Sequence, residues 1–239
     1  MDIGFAGKTV LVAGGTGGLG RAVSLAFLEN GAAVTATYRK AEEVAALRDA
    51  AGGNAQLLEG RPVDITDAEA VAGMVEDMLA KHGRLDAVVN CVGGYAGGIR
   101  LWELDTRTFD AMELLNLRAG FVLARAAMPA MLKQGEGSLV NVAARAAVDH
   151  GAGAAAYAAT KAAAVALMDS LAADARGTGV RVNSVLPSII DTKANRAAMP
   201  DADFATWPKP EEIAQVILFL SSDAARAIHG AAVPVYGNR

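Results

Sequence analysis

Cysteine occurs once in 239 residues, as Cys91, so no internal disulfide can form. Histidine is nearly as scarce: His82, His150 and His229 stand far apart without ligand spacing, and no metal site is expected. Although 53% of the chain is hydrophobic, no apolar run reaches about 18 residues without a charged or polar break, which excludes a membrane-spanning helix. The net charge is −4 and the basic residues are scattered, so there is no electrostatic footprint for nucleic acid. The opening Met1-Asp2-Ile3-Gly4-Phe5 lacks a basic segment followed by an apolar core, and a cytoplasmic placement is expected. With no proline-rich or polar linker in sight, residues 1–239 read as a single α/β domain.

Glycine and β-branched residues are what the chain has, and their order is informative. Lys8-Thr9-Val10-Leu11-Val12-Ala13 reads as a strand, and Gly14-Gly15-Thr16-Gly17-Gly18-Leu19-Gly20 follows it at once. From Arg21 the apolar spacing becomes helical and stops at Asn30-Gly31. Strand, glycine turn and helix in this order suit a dinucleotide: the turn lets the backbone approach a pyrophosphate, and the helix start offers free amides and a positive dipole end. Further strands are expected at Ala33–Thr37, from Gln56 to Val63, and at Ala87–Val89, Ser138–Val142, Val180–Val185 and Ala232–Val235. Helical segments between them predict a doubly wound parallel sheet of about seven strands, with ligands at the carboxyl ends.

Downstream, Tyr157 and Lys161 are four residues apart, a spacing that puts both on one helix face. An ammonium beside a phenol would favour the ionised phenol and make the tyrosine an acid near neutral pH.

Taken together, these residues resemble the short-chain dehydrogenase/reductase family from about Lys8 to Val235, which implies a Rossmann-type fold and NAD(P)-dependent hydride transfer. The resemblance assigns Gly14, Gly18 and Gly20 to the cofactor turn, with Thr16, Gly17 and Leu19 between them, and Asp64-Ile65 to the adenine. Asn90-Cys91-Val92-Gly93 is similar to the segment ending the fourth strand, which makes Asn90 and Gly93 cofactor contacts. Pro187, Ile189 and Thr192 match the stretch that meets the nicotinamide, with Ser188 where the family has glycine. Tyr157 and Lys161 match the catalytic pair, which also touches the cofactor, and Asn116 matches the asparagine that binds the water of a proton relay.

One departure bears on the substrate. The family's catalytic serine lies about thirteen residues before the tyrosine, where this chain has Ala144. Losing such a donor typically costs on the order of 10²- to 10³-fold in rate. A narrower resemblance accounts for the alanine: the stretch Asp191 to Trp207, the loop Cys91 to Gly98 and the serine-free Ala143 to Asp149 are similar to quinonoid dihydropteridine reductases. A quinonoid pterin accepts hydride readily, so a tyrosine–lysine pair suffices as proton donor. Tyr95, Ala144, Met199 and Trp207 are the expected substrate contacts, with 191–208 as a lid.

At the end of the second strand, Tyr38-Arg39-Lys40 has no acidic residue, and a cation there suits a 2′-phosphate. NADPH is therefore expected in preference to NADH. The alanine-rich stretches Ala119–Met131 and Ala154–Ala175 match the helices through which the family dimerises, so a homodimer or homotetramer is implied. Two alternatives to pterin reduction stand beside it: a generic carbonyl reductase or alcohol dehydrogenase, and a non-catalytic dinucleotide-binding subunit.

Overall fold

Seven strands pair in parallel into one sheet: β1 (Thr9–Ala13), β2 (Ala33–Thr37), β3 (Leu58–Arg61), β4 (Ala87–Asn90), β5 (Gly137–Val142), β6 (Val180–Pro187) and β7 (Ala232–Val235), in the order β3-β2-β1-β4-β5-β6-β7. The computed structural model describes residues 3–237; of the domain expected over 1–239, Met1, Asp2, Asn238 and Arg239 lie outside the described residues. All five residues of β1 and all four of β4 are buried, as a strand covered on both faces requires. Along β1, Val10 and Val12 face one layer while Leu11 and Ala13 face the other.

Parallel neighbours need crossovers, which helices supply. These are α1 (Gly18–Glu29), α2 (Ala41–Ala51), α3 (Ala68–His82), α4 (Thr106–Glu113), α5 (Ala119–Gln134), α6 (Ala155–Asp174), α7 (Lys193–Ala198) and α8 (Pro210–Ser221). Phe27 and Val23 of α1 pack with Ile213 and Ile217 of α8 in one layer; Met78, Leu123, Met131 and Met168 fill the other. Each such side chain contributes about 1.5–3 kcal/mol on burial. No helix among the described residues is long and apolar enough to cross a membrane.

Several boundaries differ from the sequence expectation. Helix α1 begins at Gly18 rather than Arg21, because the glycines themselves form its first turn. Strand β3 is shorter than Gln56 to Val63, since Gln56 and Leu57 lie in a tight helical turn over Gly52–Leu57 and the Val63 amide turns back to the Arg61 carbonyl. Strand β6 runs on to Pro187, where it still pairs with Val235 of β7. Between α4 and α5 the chain widens into a π-turn over Leu114–Arg118, a form common at functional sites, and Asn116 is buried in it.

At the amino ends of the strands, Asp86 ties β1 to β4. Its carboxylate accepts from the Thr9 amide at 2.8 Å and from Arg84 Nε at 2.8 Å, with Lys8 Nζ at 3.3 Å. Burial pushes this carboxyl up, but Arg84, the Thr9 amide and Lys8 outweigh it and hold it below the ordinary value. The outer strands are protected differently: β7 carries Pro234, and β3 carries Glu59 and Arg61, paired with Lys81 and Asp77.

The strand order reverses at β1, whose neighbours are β2 on one side and β4 on the other. A crevice opens at the carboxyl ends of such a pair.

Candidate active site

The glycine turn lies at this crevice, directly after β1. Gly14 has φ +69°, open to glycine at low cost, and its amide donates to Thr37 Oγ1 at 2.8 Å. A Cβ at Gly20 would fall 2.0 Å from the Gly14 carbonyl oxygen, so the helix can start this close to the strand only with glycine there. A Cβ at Gly18 would fall 2.9 Å from Thr192 Cγ2, which brings the segment after β6 against the turn. No side chain caps α1 at Gly17, and Leu19 is buried beneath. A turn whose glycines carry no Cβ, leading into a helix start without a side-chain cap, lets a pyrophosphate approach the backbone, and the residues present fit a dinucleotide.

Next to the turn, Thr16 Oγ1 donates to Glu43 Oε2 at 3.0 Å. Tyr38 lies across β3, where a Cβ at Gly60 would meet its ring at 3.0 Å. Arg39 is exposed and has no hydrogen bond or ion pair among the described residues; it acts on Asp64 through space. The Asp64 carboxyl is held below its ordinary value, first by the Thr66 amide, then by the Thr66 hydroxyl, with Arg39 assisting. Asp64 is exposed, and Ile65 is buried behind it.

On the other side of the crevice a chain of hydrogen bonds fixes the end of β4. Asn90 Nδ2 donates to Asn141 Oδ1 at 2.8 Å, and Asn90 Oδ1 accepts from the Val92 amide at 3.1 Å. Asn116 Oδ1 accepts from the Gly94 amide at 2.9 Å, while its Nδ2 donates to Thr160 Oγ1 at 3.1 Å. A Cβ on Gly93 would lie 3.0 Å from both Asn116 Oδ1 and Lys161 Nζ, so only glycine lets these two side chains converge. The Asn116 side chain thus holds the loop to α6.

Lys161 is 5% exposed, and its Nζ donates to the Val142 carbonyl at 2.9 Å. Burial pulls the ammonium down to about 8, against a small upward pull from Cys91. Cys91 is itself pushed up to about 12 by burial, with Lys161 opposing, which keeps it a neutral thiol. Tyr157 is half-buried, one turn before Lys161. Here the sequence expectation is corrected: the phenol is not lowered but pushed up to about 12, first by burial and then by the nearby Tyr95. Helical spacing places the ammonium on the phenol's face, but its hydrogen bond goes to Val142, and desolvation dominates.

Tyr95 stands edge-on to Tyr157 with ring centroids 5.0 Å apart, 69% exposed, at the mouth of the site. Ala144 is buried two residues beyond Val142, in extended conformation at the end of β5, and brings no hydroxyl. Pro187, the last residue of β6, is buried, and Ile189 beyond it is exposed. Thr192 caps α7, and Asp191 pairs bidentately with Arg196, which lies over the Phe204 ring. Trp207 packs on Phe204 at 5.0 Å and Met199 closes the end of α7, so 191–208 is internally braced.

Sequence reasoning passed over Thr160, Glu43 and Thr37, each of which holds a motif residue in place. It also passed over Arg145, which follows Ala144, pairs with Asp149 and lies 5.3 Å from the Tyr236 ring centre. Thr160 had a signal, lying immediately before Lys161 on the same helix; the others are joined to the site only by folding.

A family model described as short chain dehydrogenase matches residues 8–203. The chain is 32% identical over 239 residues to the 3-oxoacyl-(acyl-carrier-protein) reductase FabG of Thermotoga maritima, covering 97% of each. It is 33% identical over 249 residues to the D-threitol dehydrogenase of Mycolicibacterium smegmatis, covering 99% of this chain and 94% of that protein. Among solved structures it is similar to ElxO with NADP bound, with TM-score 0.91, 26% identity and coverage of 96% and 97%. The crystal structure of gox2181 gives TM-score 0.92 at 26% identity, covering 98% of this chain and 96% of that one.

Proposed function

The chain belongs to the short-chain dehydrogenase family and is an NAD(P)-dependent oxidoreductase, and from that premise we propose that it reduces an activated planar acceptor, foremost a quinonoid dihydropterin, with NADPH preferred. The observation that carries this reading is Ala144: the serine position is filled by a buried methyl group, next to an intact Tyr157 and Lys161. An acceptor that takes hydride readily has the least need of the missing donor.

In this reading the bound cofactor supplies the hydride, and the protein's residues do the rest. Gly14, Thr16, Gly17, Gly18, Leu19 and Gly20 hold the pyrophosphate and adjoining ribose. Tyr38, Arg39, Asp64 and Ile65 surround the adenosine, with Arg39 drawn to a 2′-phosphate. Asn90, Gly93, Pro187, Ile189 and Thr192 border the nicotinamide half. Lys161 holds the ribose on that side, and Tyr157, protonated at neutral pH, gives the proton to the acceptor. Asn116 keeps the Gly94 amide and Thr160 in place and orders a water behind the pair. Tyr95, Met199 and Trp207 cover the planar substrate, with 191–208 as a lid over a single catalytic domain.

A homodimer or homotetramer belongs to the same proposal. Leu114, Leu117, Phe121 and Leu167, together with Asp110, Glu113 and Arg118, line a surface groove of about 490 Å³, and Phe121 and Leu167 lie on the helices expected to associate. A cytoplasmic placement, with nucleotide cofactor at hand, fits this enzyme.

The second reading is a carbonyl reductase or alcohol dehydrogenase, favoured by the names of the relatives, a reductase of 3-oxoacyl groups and a polyol dehydrogenase. A panel of quinonoid dihydropterin, simple ketones, 3-oxoacyl thioesters and polyols, run with NADPH and NADH, separates the two. Faster turnover of ketones or polyols than of the pterin would reject the first reading.

A further inference from the structure

Two charges of opposite sign flank the adenosine end of the glycine turn, and only one of them is visible as a motif. Arg39 follows β2 and makes no hydrogen bond or ion pair among the described residues; Glu43, in the first turn of α2, is half-buried and accepts a hydrogen bond from the Thr16 hydroxyl on Oε2 at 3.0 Å. The other carboxylate oxygen, Oε1, accepts no hydrogen bond among the described residues. Glu42, next to it, is exposed and has no such contact. The two ends of the Thr16–Glu43 bond are 27 residues apart, so α2 is set down with one particular carboxylate against the cofactor turn. Gly17 brings no cation to that turn to offset the charge.

We propose that Glu43 is a second determinant of cofactor choice: a carboxylate placed to accept the 2′-hydroxyl of an unphosphorylated adenosine ribose and to oppose the 2′-phosphate that Arg39 attracts. A carboxylate with a spare oxygen is a strong acceptor for a ribose hydroxyl, and the same group repels a phosphate dianion. It also holds the Thr16 hydroxyl, which a 2′-phosphate would otherwise recruit as donor. The parent enzyme is therefore less selective for NADPH than Arg39 alone would make it, and NADH remains a working cofactor. This inference rests on the reading that the adenosine lies over the glycine turn beside Arg39.

The test needs no turnover. Calorimetric titration of the intact protein with 2′,5′-ADP and with 5′-AMP measures the two ribose forms directly, for the parent, Glu43→Gln, Glu42→Gln and Arg39→Ala. Glutamine keeps an acceptor for Thr16 while removing the charge, so folding is preserved. Glu43→Gln is expected to raise the preference for 2′,5′-ADP over AMP about tenfold, Arg39→Ala to lower it by about as much, and Glu42→Gln to leave it within about twofold. If both fragments bind and Arg39→Ala shifts the ratio but Glu43→Gln does not, the role of Glu43 is rejected while the location of the adenosine stands. An equal shift from Glu42→Gln rejects it too, since the effect is then general surface charge. Failure of both fragments to bind the parent rejects the location and the inference with it.

Discussion

Lys161, one helical turn beyond Tyr157, donates a hydrogen bond from its ammonium to the carbonyl of Val142 at 2.9 Å. One buried cation thereby joins α6 to the end of β5, and it does so from within the site. Its proton is held less tightly than that of an ordinary lysine.

That fixes a stability signature. In the folded protein Lys161 titrates near about 8, against 10.5 for an unperturbed lysine, so between those values the unfolded chain binds more protons. Stability from this group must then rise with pH across that window and be flat below it. Urea midpoints for the parent and Lys161→Met, compared between pH 7.5 and 10, should show the parent gaining on the variant; a constant difference would contradict the lowered value.

The ribose role of Lys161 predicts the opposite trend for binding. Cofactor affinity should fall as pH rises through about 8, where the ammonium is lost, with fractional proton uptake on binding near that pH. Titrations in buffers of different ionisation enthalpy would detect the proton. Lys161→Ala should weaken both binding and turnover, whereas Tyr157→Phe should cut single-turnover hydride transfer about 10²- to 10⁴-fold with cofactor affinity nearly unchanged. Full activity in Tyr157→Phe would end its assignment as proton donor.

Ala144→Ser restores a hydroxyl at the end of β5 in a buried site where the methyl now fits. Pterin reduction should change by less than about threefold, while ketone reduction should appear or rise by about tenfold or more. The reverse pattern, with the parent already a fast ketone reductase, would count against an acceptor that needs little polarisation.

At the far end of the strands, Asp86→Asn should lower unfolding free energy by about 2–4 kcal/mol, because Arg84 and Lys8 lose a buried counter-charge. Cofactor affinity should not move. Since the folded carboxyl sits below its ordinary value, its contribution is present near neutrality and fades as pH falls through that lowered value, so parent and variant should converge in acid.

Much of this was legible in one dimension. The bounds of β2 and β7 coincide with their β-branched runs, and the glycine turn, Asn90, Gly93 and Lys161 converge on one crevice. The start of α1 was missed because glycine is a poor helix former and reads as loop, although a helix that must begin against a phosphate site is the place where glycine is tolerated. The length of β3 was missed because Gln56-Leu57-Leu58 has no breaker to show where the turn ends. Spacing could put Tyr157 and Lys161 on one face, but a side chain's proton affinity depends on how much water remains around it, and for Tyr157 both its burial and the neighbouring Tyr95 arise only on folding. The Thr16–Glu43 contact joins segments whose local patterns are independent of one another.

The two margins of the sheet have a consequence for how the protein behaves when crowded. A bare strand edge is a template for aggregation, and here neither is bare: Pro234 withholds an amide on β7, while β3 is four residues long and carries ion-paired Glu59 and Arg61. Fibril-like growth through the strands is therefore discouraged at both margins of the sheet.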